Sequence, residues 1–326
     1  MPNTALLPLL ANGEFHSGQD LAQTIGVSRT AVWKQLNKLE ELGLQIESVK
    51  GKGYRIPGGI DLIVAQRVRA GLRPEVIELL QELDVHEVID STNMEAQRRI
   101  ELGGATGYVC TAEQQTSGRG RRGRTWVSPF ARNVYLSLVW EFTQGAAALE
   151  GMSLAVGVAV ARALESCGIS GVQLKWPNDL LYQKAKLGGV LLEMLGDATG
   201  TCQVVVGVGL NVDMPADSAR GIDQAWTDLS AISGDKVVPD RSALIAALLN
   251  QLLPLLAGFQ ESGFGKWQQA WLERDAHADK SVILHVGEDT MAGTARGVDE
   301  RGALLLETTV GIKPIYGGEI SLRVDE

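Results

Sequence analysis

What this chain lacks narrows its function first. Its three cysteines, Cys110, Cys167 and Cys202, are too scattered for Cys-x-x-Cys spacing. An odd, dispersed set argues against a disulfide framework and reads as reduced core thiols. The four histidines, His16, His86, His277 and His285, form no His-x-x-x-His or Cys/His group, so no protein-held transition metal is expected. The apolar run from Leu6 to Leu10 is short, interrupted by Pro8 and preceded by no basic residue. It reads as neither signal peptide nor membrane span, which makes a cytoplasmic location without membrane partners the expectation. Neither a fixed-period repeat nor a low-complexity tract is evident, which leaves little room for a solenoid or a disordered tail. Excess positive charge is missing too: the formal charge is -9, so nucleic acid could be bound only through a local patch.

What is present is apolar material for several cores, 45% hydrophobic residues in a chain of 326, enough for two or three domains. Residues 17 to 56 suggest a short helix to Thr24, a turn at Ile25-Gly26-Val27 and a second helix opening at Ser28, a good N-cap. Val32, Leu36, Leu39 and Leu42 recur at helical spacing, while Arg29, Lys34, Gln35 and Lys38 fall largely elsewhere and Gly43 ends the helix. A strand-like Leu44 to Val49, a Lys-Gly-Lys-Gly turn and Tyr54-Arg55-Ile56 complete a basic-tipped hairpin, the pattern of a winged helix-turn-helix. Between residues 1 and 58, six Lys/Arg meet five Asp/Glu, a balance that supports DNA binding only weakly and leaves a pure packing role open. Pro57-Gly58-Gly59 marks a boundary.

Residues 65 to 272 mix strand runs (133 to 142, 187 to 194, 204 to 212) with helical ones (149 to 167, 243 to 256), as in an α+β domain on a mixed sheet. From 275 to 326 short β-type runs recur between glycine and charged turns, which predicts a small barrel.

Three segments carry chemistry. Gly118-Arg119-Gly120-Arg121-Arg122-Gly123-Arg124, followed by Thr125-Trp126, puts four arginines among three glycines in an acidic protein. Glycine lets backbone amides approach an anion and guanidinium forks hold phosphate oxygens, so the loop suits a phosphate chain, although it is not a P-loop. A solvated arginine-glycine tail is the bland alternative; the segment is single, short and set between core-like strands. Lys175-Trp176-Pro177-Asn178-Asp179 and Lys186-Leu187-Gly188-Gly189 place ammonium groups beside one carboxylate, Asp179, able to help hold Mg²⁺ on ATP; the turn could equally be structural. Gly207-Val208-Gly209-Leu210-Asn211 ends a buried strand with two glycines where a flat ring could approach, a weak signal alone.

Together, SRTAVWKQL and KGKGYRI near the amino terminus, DSTN at 90 to 93, AEQQTSGRGRRGRTW at 112 to 126, KWPNDL at 175 to 180, KLGGVLLE at 186 to 193 and GVGLN at 207 to 211 resemble the biotin protein ligases. The likeness is to the bifunctional bacterial type that is also the biotin operon repressor, and it spans nearly the whole chain. It implies a winged helix-turn-helix, a central ligase domain similar to class II aminoacyl-tRNA synthetases and an SH3-like barrel. It places Ser91, Thr92, Gln114, Arg119, Lys186 and Gly189 around biotin. Arg121, Arg122, Arg124, Trp126, Asn178, Asn211 and Trp226 would surround the adenylate, with Arg121, Lys186 and Asp179 catalytic; Trp226 equally suits a core plug. Ser28, Arg29, Thr30, Lys34, Lys50 and Lys52 would face DNA. The substrates implied are biotin and Mg-ATP, and the partners are a biotin carboxyl carrier protein, operator DNA and a second copy paired through central-domain sheets, with the strand holding Val139 to Phe142 as candidate edge. Rival readings are a biotin sensor without ligase activity, a lipoate or other acyl ligase, and a ligase that has lost repression.

Overall fold

The structure, a computed structural model, describes residues 5–103, 105–145, 149–197, 200–234, 237–286, 289–316 and 320–324. The extreme ends of the expected first and last domains lie outside them.

The amino-terminal unit is built from α1 (Leu7–Leu10), α2 (Gly18–Thr24), α3 (Arg29–Glu41) and a hairpin of β1 (Glu47–Val49) and β2 (Gly53–Arg55). Ser17 Oγ accepts from Asp20 N at 3.1 Å and Ser28 Oγ from Ala31 N at 3.2 Å, so both helices start on side-chain caps. The Leu6–Leu10 run proves to be structural: Leu6, Leu7 and Leu10 are buried with Leu21, Val32, Leu36, Leu39, Leu44 and Ile56. Burying those leucines on α2 and α3 is what a helical unit this small needs for a closed core.

The central unit contains α4 (Ala65–Ala70), α5 (Pro74–Ile77), β3 (Glu82–Ile89), α6 (Thr92–Glu101), β4 (Tyr108–Gln115), β5 (Val134–Phe142), α7 (Met152–Ser166), β6 (Gln173–Lys175), β7 (Asp179–Tyr182), β8 (Ala185–Gly196), β9 (Cys202–Leu210), α8 (Leu229–Ser233), α9 (Arg241–Ser262) and α10 (Gly265–Leu272). Its seven strands run in the order β3-β4-β5-β9-β8-β7-β6. Only β3 and β4 are parallel; every other neighbour is antiparallel. Helices α7 and α9 cover one face and α6 the other. Strand periodicity then sorts the residues of β9. Val204, Val206, Val208 and Leu210 join the core beneath α7 and α9, and Val205 packs with Ala96 of α6. Gly207 and Gly209 share Val205's face and, lacking side chains, leave it hollow.

By length and composition alone α9, with mean hydropathy 1.7, could cross a membrane. Here it is a core helix, with Leu244, Leu248, Leu249, Leu252, Leu253 and Leu256 buried. Strand β5 is interior rather than the expected edge, with β4 on one side and β9 on the other, although its end from Val139 to Phe142 runs past the β4 ladder. An apolar run in an interior strand is what burial on both faces requires, so its composition could not reveal an edge.

The carboxy-terminal unit is a five-stranded antiparallel sheet in the order β13-β12-β11-β10-β14, from β10 (Ser281–Val286), β11 (Asp289–Val298), β12 (Leu304–Thr308), β13 (Gly311–Ile315) and β14 (Ile320–Val324). Trp176, buried in the turn after β6, donates from Nε1 to Gly302 O at 3.0 Å, which pins that turn to the small domain.

Candidate ligand site of the central sheet

The hollow face of β9 opens into a cavity of about 440 Å³, a size typical of small-molecule sites. Its floor is backbone. A Cβ on Gly209 would stand 2.6 Å from the Trp126 ring, and one on Gly207 would stand 2.3 Å from Asn93 Oδ1. Only glycine leaves room there for both the neighbouring side chains and a ligand.

One wall is a polar lattice where α6 begins beside β4 and β5. The Thr92 N–H and hydroxyl both donate to Gln115 Oε1, at 2.9 and 3.2 Å. Gln115 Nε2 donates to Ser128 Oγ at 3.0 Å, and Ser128 Oγ donates to Trp126 O at 2.9 Å. Ser137 Oγ lies 2.8 Å from Thr92 Oγ1 and donates to Asn93 Oδ1 at 2.6 Å. Asp90 locks the entry to this wall: its Oδ1 accepts from Ser91 N at 2.7 Å and its carboxylate pairs with Arg98 at 2.8 and 2.9 Å. The Arg98 guanidinium holds the Asp90 carboxyl down to about 2.

The opposite wall is cationic. The arginine segment folds back on itself, with Gly120 N donating to Arg124 O at 2.7 Å and Trp126 N to Gly118 O at 2.9 Å. Arg122, at φ 58°, sits at the tip in the left-handed region. Arg121 Nη1 reaches Asn178 Oδ1 at 3.2 Å, tying the loop to the β6–β7 turn. Lys186 Nζ stands 2.7 Å from Asp179 Oδ1 and 5.7 Å from the centre of the Trp126 ring. Arg119 bridges to Glu193 Oε1 at 3.2 Å. The four loop arginines, Lys175 and Lys186 thus line the cavity against the carboxylates of Asp179 and Asp223, and this local field suits a polyanion. Trp126 Nε1 is buried with no partner, a donor available to a ligand. Among the described residues no three His, Cys, Asp or Glu side chains gather to hold a metal.

The cavity wall brings together Ser91, Thr92, Arg119, Arg121, Arg122, Arg124, Trp126, Asn178, Asp179, Lys186 and Gly189. Three expected residues do not line it. Gln114 pairs with Val88 along β3 and its neighbour Gln115 lines the cavity in its place. Adjacent strand residues point to opposite sides, so a shift of one position exchanges wall for exterior. Asn211 donates to Lys186 O at 3.5 Å and Thr227 O at 3.0 Å, behind the wall, and its Oδ1 is buried without a partner. Trp226 is half-buried and bridges to Lys186 by backbone, also outside the lining. Missed in the sequence were Asn93 and Ser137; the DSTN motif signalled the first, and nothing but tertiary placement marks the second.

On the amino-terminal unit, Ser28, Arg29, Thr30, Lys34, Lys50 and Lys52 are all exposed. They lie on α3 and at the hairpin tip, apart from the cavity.

A glycine-floored cavity with a hydrogen-bonding wall and a facing cluster of cations, in a chain that also carries a winged helix-turn-helix, defines a nucleotide-using ligase joined to a DNA-binding module. Comparison with known proteins gives the family. The Biotin/lipoate A/B protein ligase family matches residues 85–211, an HTH domain matches 3–55 and the Biotin protein ligase C terminal domain matches 277–323. The chain is 41% identical over 322 residues to the bifunctional ligase/repressor BirA of Escherichia coli, covering 98% of this chain and 97% of that one. It is 32% identical to BirA of Bacillus subtilis, covering 96% and 95%. The biotin protein ligase from Aquifex aeolicus in complex with biotin and ATP superimposes with a TM-score of 0.64 at 30% identity, over 76% of this chain and all of the other. The chain belongs to the bifunctional biotin protein ligase/repressor family.

Proposed function

We propose that the chain activates biotin with ATP, transfers it to a lysine of a biotin carboxyl carrier protein, and, with biotinyl-5'-adenylate bound, pairs with a second copy to repress transcription at operator DNA. A cytoplasmic location follows from those partners. The observation that carries the reading is the juxtaposition of the polar Thr92–Gln115–Ser128 lattice, suited to a ureido ring, with the Lys186–Asp179 pair and Arg121 across one glycine floor.

In the first half-reaction a biotin carboxylate oxygen attacks the α-phosphorus of ATP; the acyl–phosphate bond forms, the α–β anhydride breaks and pyrophosphate leaves. Negative charge gathers on phosphoryl oxygens, so fixed cations are the main help the protein can give. Lys186 is only 17% exposed and is oriented by Asp179 at 2.7 Å, so its charge acts where little water screens it. Mg²⁺ would arrive on ATP, Asp179 would help hold it there, and it would supply further neutralisation. Arg121, steered by Asn178, holds the phosphate of the product, and Trp126 covers it. In the second half-reaction the neutral amine of the acceptor lysine attacks the acyl carbonyl and AMP leaves with the bonding electrons. Asn211 Oδ1 is the acceptor offered to the adenine amine, and Trp226, in the neighbouring segment, would cover the ring once that segment moves inward.

Incubation with biotin, Mg-ATP and a carrier domain, with lipoate in parallel, tests the reading. The expected result is one biotinyl mass increment per acceptor and release of pyrophosphate, with none from lipoate; tight biotin binding without transfer would leave only a sensor.

A further inference from the structure

Helix α3 carries one exposed side chain that packing does not account for. Trp33 is 55% exposed, although it stands mid-helix, at the flank of a closed face of Val32, Gln35, Leu36 and Leu39. It follows Arg29 by four residues and Thr30 by three, and precedes Asn37 by four, so these four residues form one stripe. Arg29, Thr30 and the adjacent Lys34 are exposed. The indole is therefore the apolar centre of a polar, cationic strip.

Charge identifies the occupant. Arg29, Lys34 and Lys38 lie along α3, and Lys50 and Lys52 at the hairpin tip, whereas the acidic Glu40 and Glu41 sit at the far end of the helix. A surface with cations around one large apolar group, and acids held at its back, fits a polyanion that itself displays an apolar spot. Duplex DNA has one in the major groove, the thymine C5-methyl. The early residues of a recognition helix are those that reach base edges, and Trp33 stands in its second turn.

We propose that Trp33 is a specificity-determining residue that packs its indole against a thymine methyl in the major groove, so that this chain demands a T·A pair at one position of each operator half-site. The proposal rests on the operator-binding role of the amino-terminal unit, and goes beyond it by naming the base that is read and the side chain that reads it. Contact with a methyl group releases no counterions, so it alters sequence preference without altering the salt dependence of binding.

The test selects duplexes from a randomised pool with the wild-type chain in biotin and Mg-ATP, then replaces each thymine of the selected site by deoxyuridine, which lacks only the methyl. One position per half-site is expected to lose about five- to tenfold in wild-type affinity and to lose nothing further in Trp33→Ala. Trp33→Ala alone should bind the selected duplex about tenfold more weakly and relax selection at that position. Its slope of log affinity against log salt should match the wild type, while Lys52→Ala flattens that slope by about one. An exposed site makes misfolding an easily excluded cause: the thermal midpoint of Trp33→Ala should equal that of the wild type. Wild-type affinity in Trp33→Ala, or insensitivity to every deoxyuridine, overturns the proposal while operator binding stands. If the wild-type chain selects no duplex, operator binding and the role of Trp33 fall together.

Discussion

At the scale of single residues, the site depends on what Gly209 lacks and on where Arg121 reaches. A methyl at Gly209 would meet the Trp126 ring at 2.6 Å, and Gly209 is in an extended strand where alanine is tolerated by the backbone. Gly209→Ala should therefore fold normally but raise the KM for biotin at least about tenfold, because the ring must move into the space the ligand needs; an unchanged KM would show that the floor is not where the ligand lies. Arg121 is tied to the β6–β7 turn through Asn178. Arg121→Gly should still form the adenylate but release it, so that surface lysines of bystander proteins are labelled; acceptor selectivity equal to the wild type would contradict the retaining role. The motifs made most of these residues legible, since phosphate chemistry needs arginine, lysine and glycine in recognisable clusters. The one-residue slip at Gln114 and Gln115 was not legible, because two adjacent glutamines at a strand end differ only in which side they face. Asn211 and Trp226, expected against the adenylate, stand behind the cavity wall instead, a placement set by the segment after β9 rather than by any local pattern.

At the scale of elements, alternation made the strands readable and burial hid which of them are edges. The apolar runs located β5, β8 and β9, whereas the sheet order, with β5 in the interior, depends on long-range pairing that no local pattern records. The short helix α1 was likewise unread, since four residues with a proline give no periodicity. Where β6 meets the segment before β10, Leu174 N donates to Arg274 O at 2.7 Å and Ala276 N to Leu174 O at 2.8 Å, and a half-buried carboxyl and a buried imidazole there titrate in opposite senses. Burial pushes the Asp275 carboxyl up to about 6 and the His277 imidazole down to about 4. Between about pH 4 and 6 the folded chain keeps a proton on Asp275 that the unfolded chain has released, so this group's contribution is lost as pH rises. His277 does the reverse, because its neutral form is favoured in the fold and stability rises with pH up to about 6.5. Asp275→Asn keeps an acceptor for His277 N, at 2.8 Å in the wild type, and removes only the first of these. Its unfolding free energy at pH 7.5 should exceed the wild type's by up to about 2 kcal/mol, and its stability should climb from pH 4 to 6.5; a variant weaker than wild type at pH 7.5 would refute the assignment.

At the scale of the whole molecule, the three units are stitched at buried points that the sequence could not disclose, since each partner lies far away along the chain. Arg241, 1% exposed, pairs with Glu113 at 2.6 Å, and its backbone N–H and guanidinium both reach Asp61 in the connection to the DNA-binding unit. Glu113 in turn accepts from Ile63 N at 2.7 Å and stands two residues before Gln115 of the cavity wall. Phe130, four residues past Trp126, is buried in the amino-terminal core, so the ligand-facing loop and the DNA-binding unit share one packing cluster. Arg241→Met should cost about 3–5 kcal/mol in urea unfolding, since it strands a buried carboxylate, and Glu113→Leu added to it should recover much of the loss; a cost below about 1 kcal/mol would mean that the pair is not buried in solution. The domain pattern itself was legible, because helical capping, mixed strand runs and short β runs succeed one another along the chain. In the proposed function one adenylate serves both acylation and repression. The measurement that tests it most directly follows complex formation on operator DNA by sedimentation, in biotin and Mg-ATP, before and after addition of a carrier domain. A two-protomer complex that disperses as the acceptor lysine consumes the adenylate is expected; a complex that forms without biotin, or persists unchanged after complete acylation of excess carrier, would contradict the shared role.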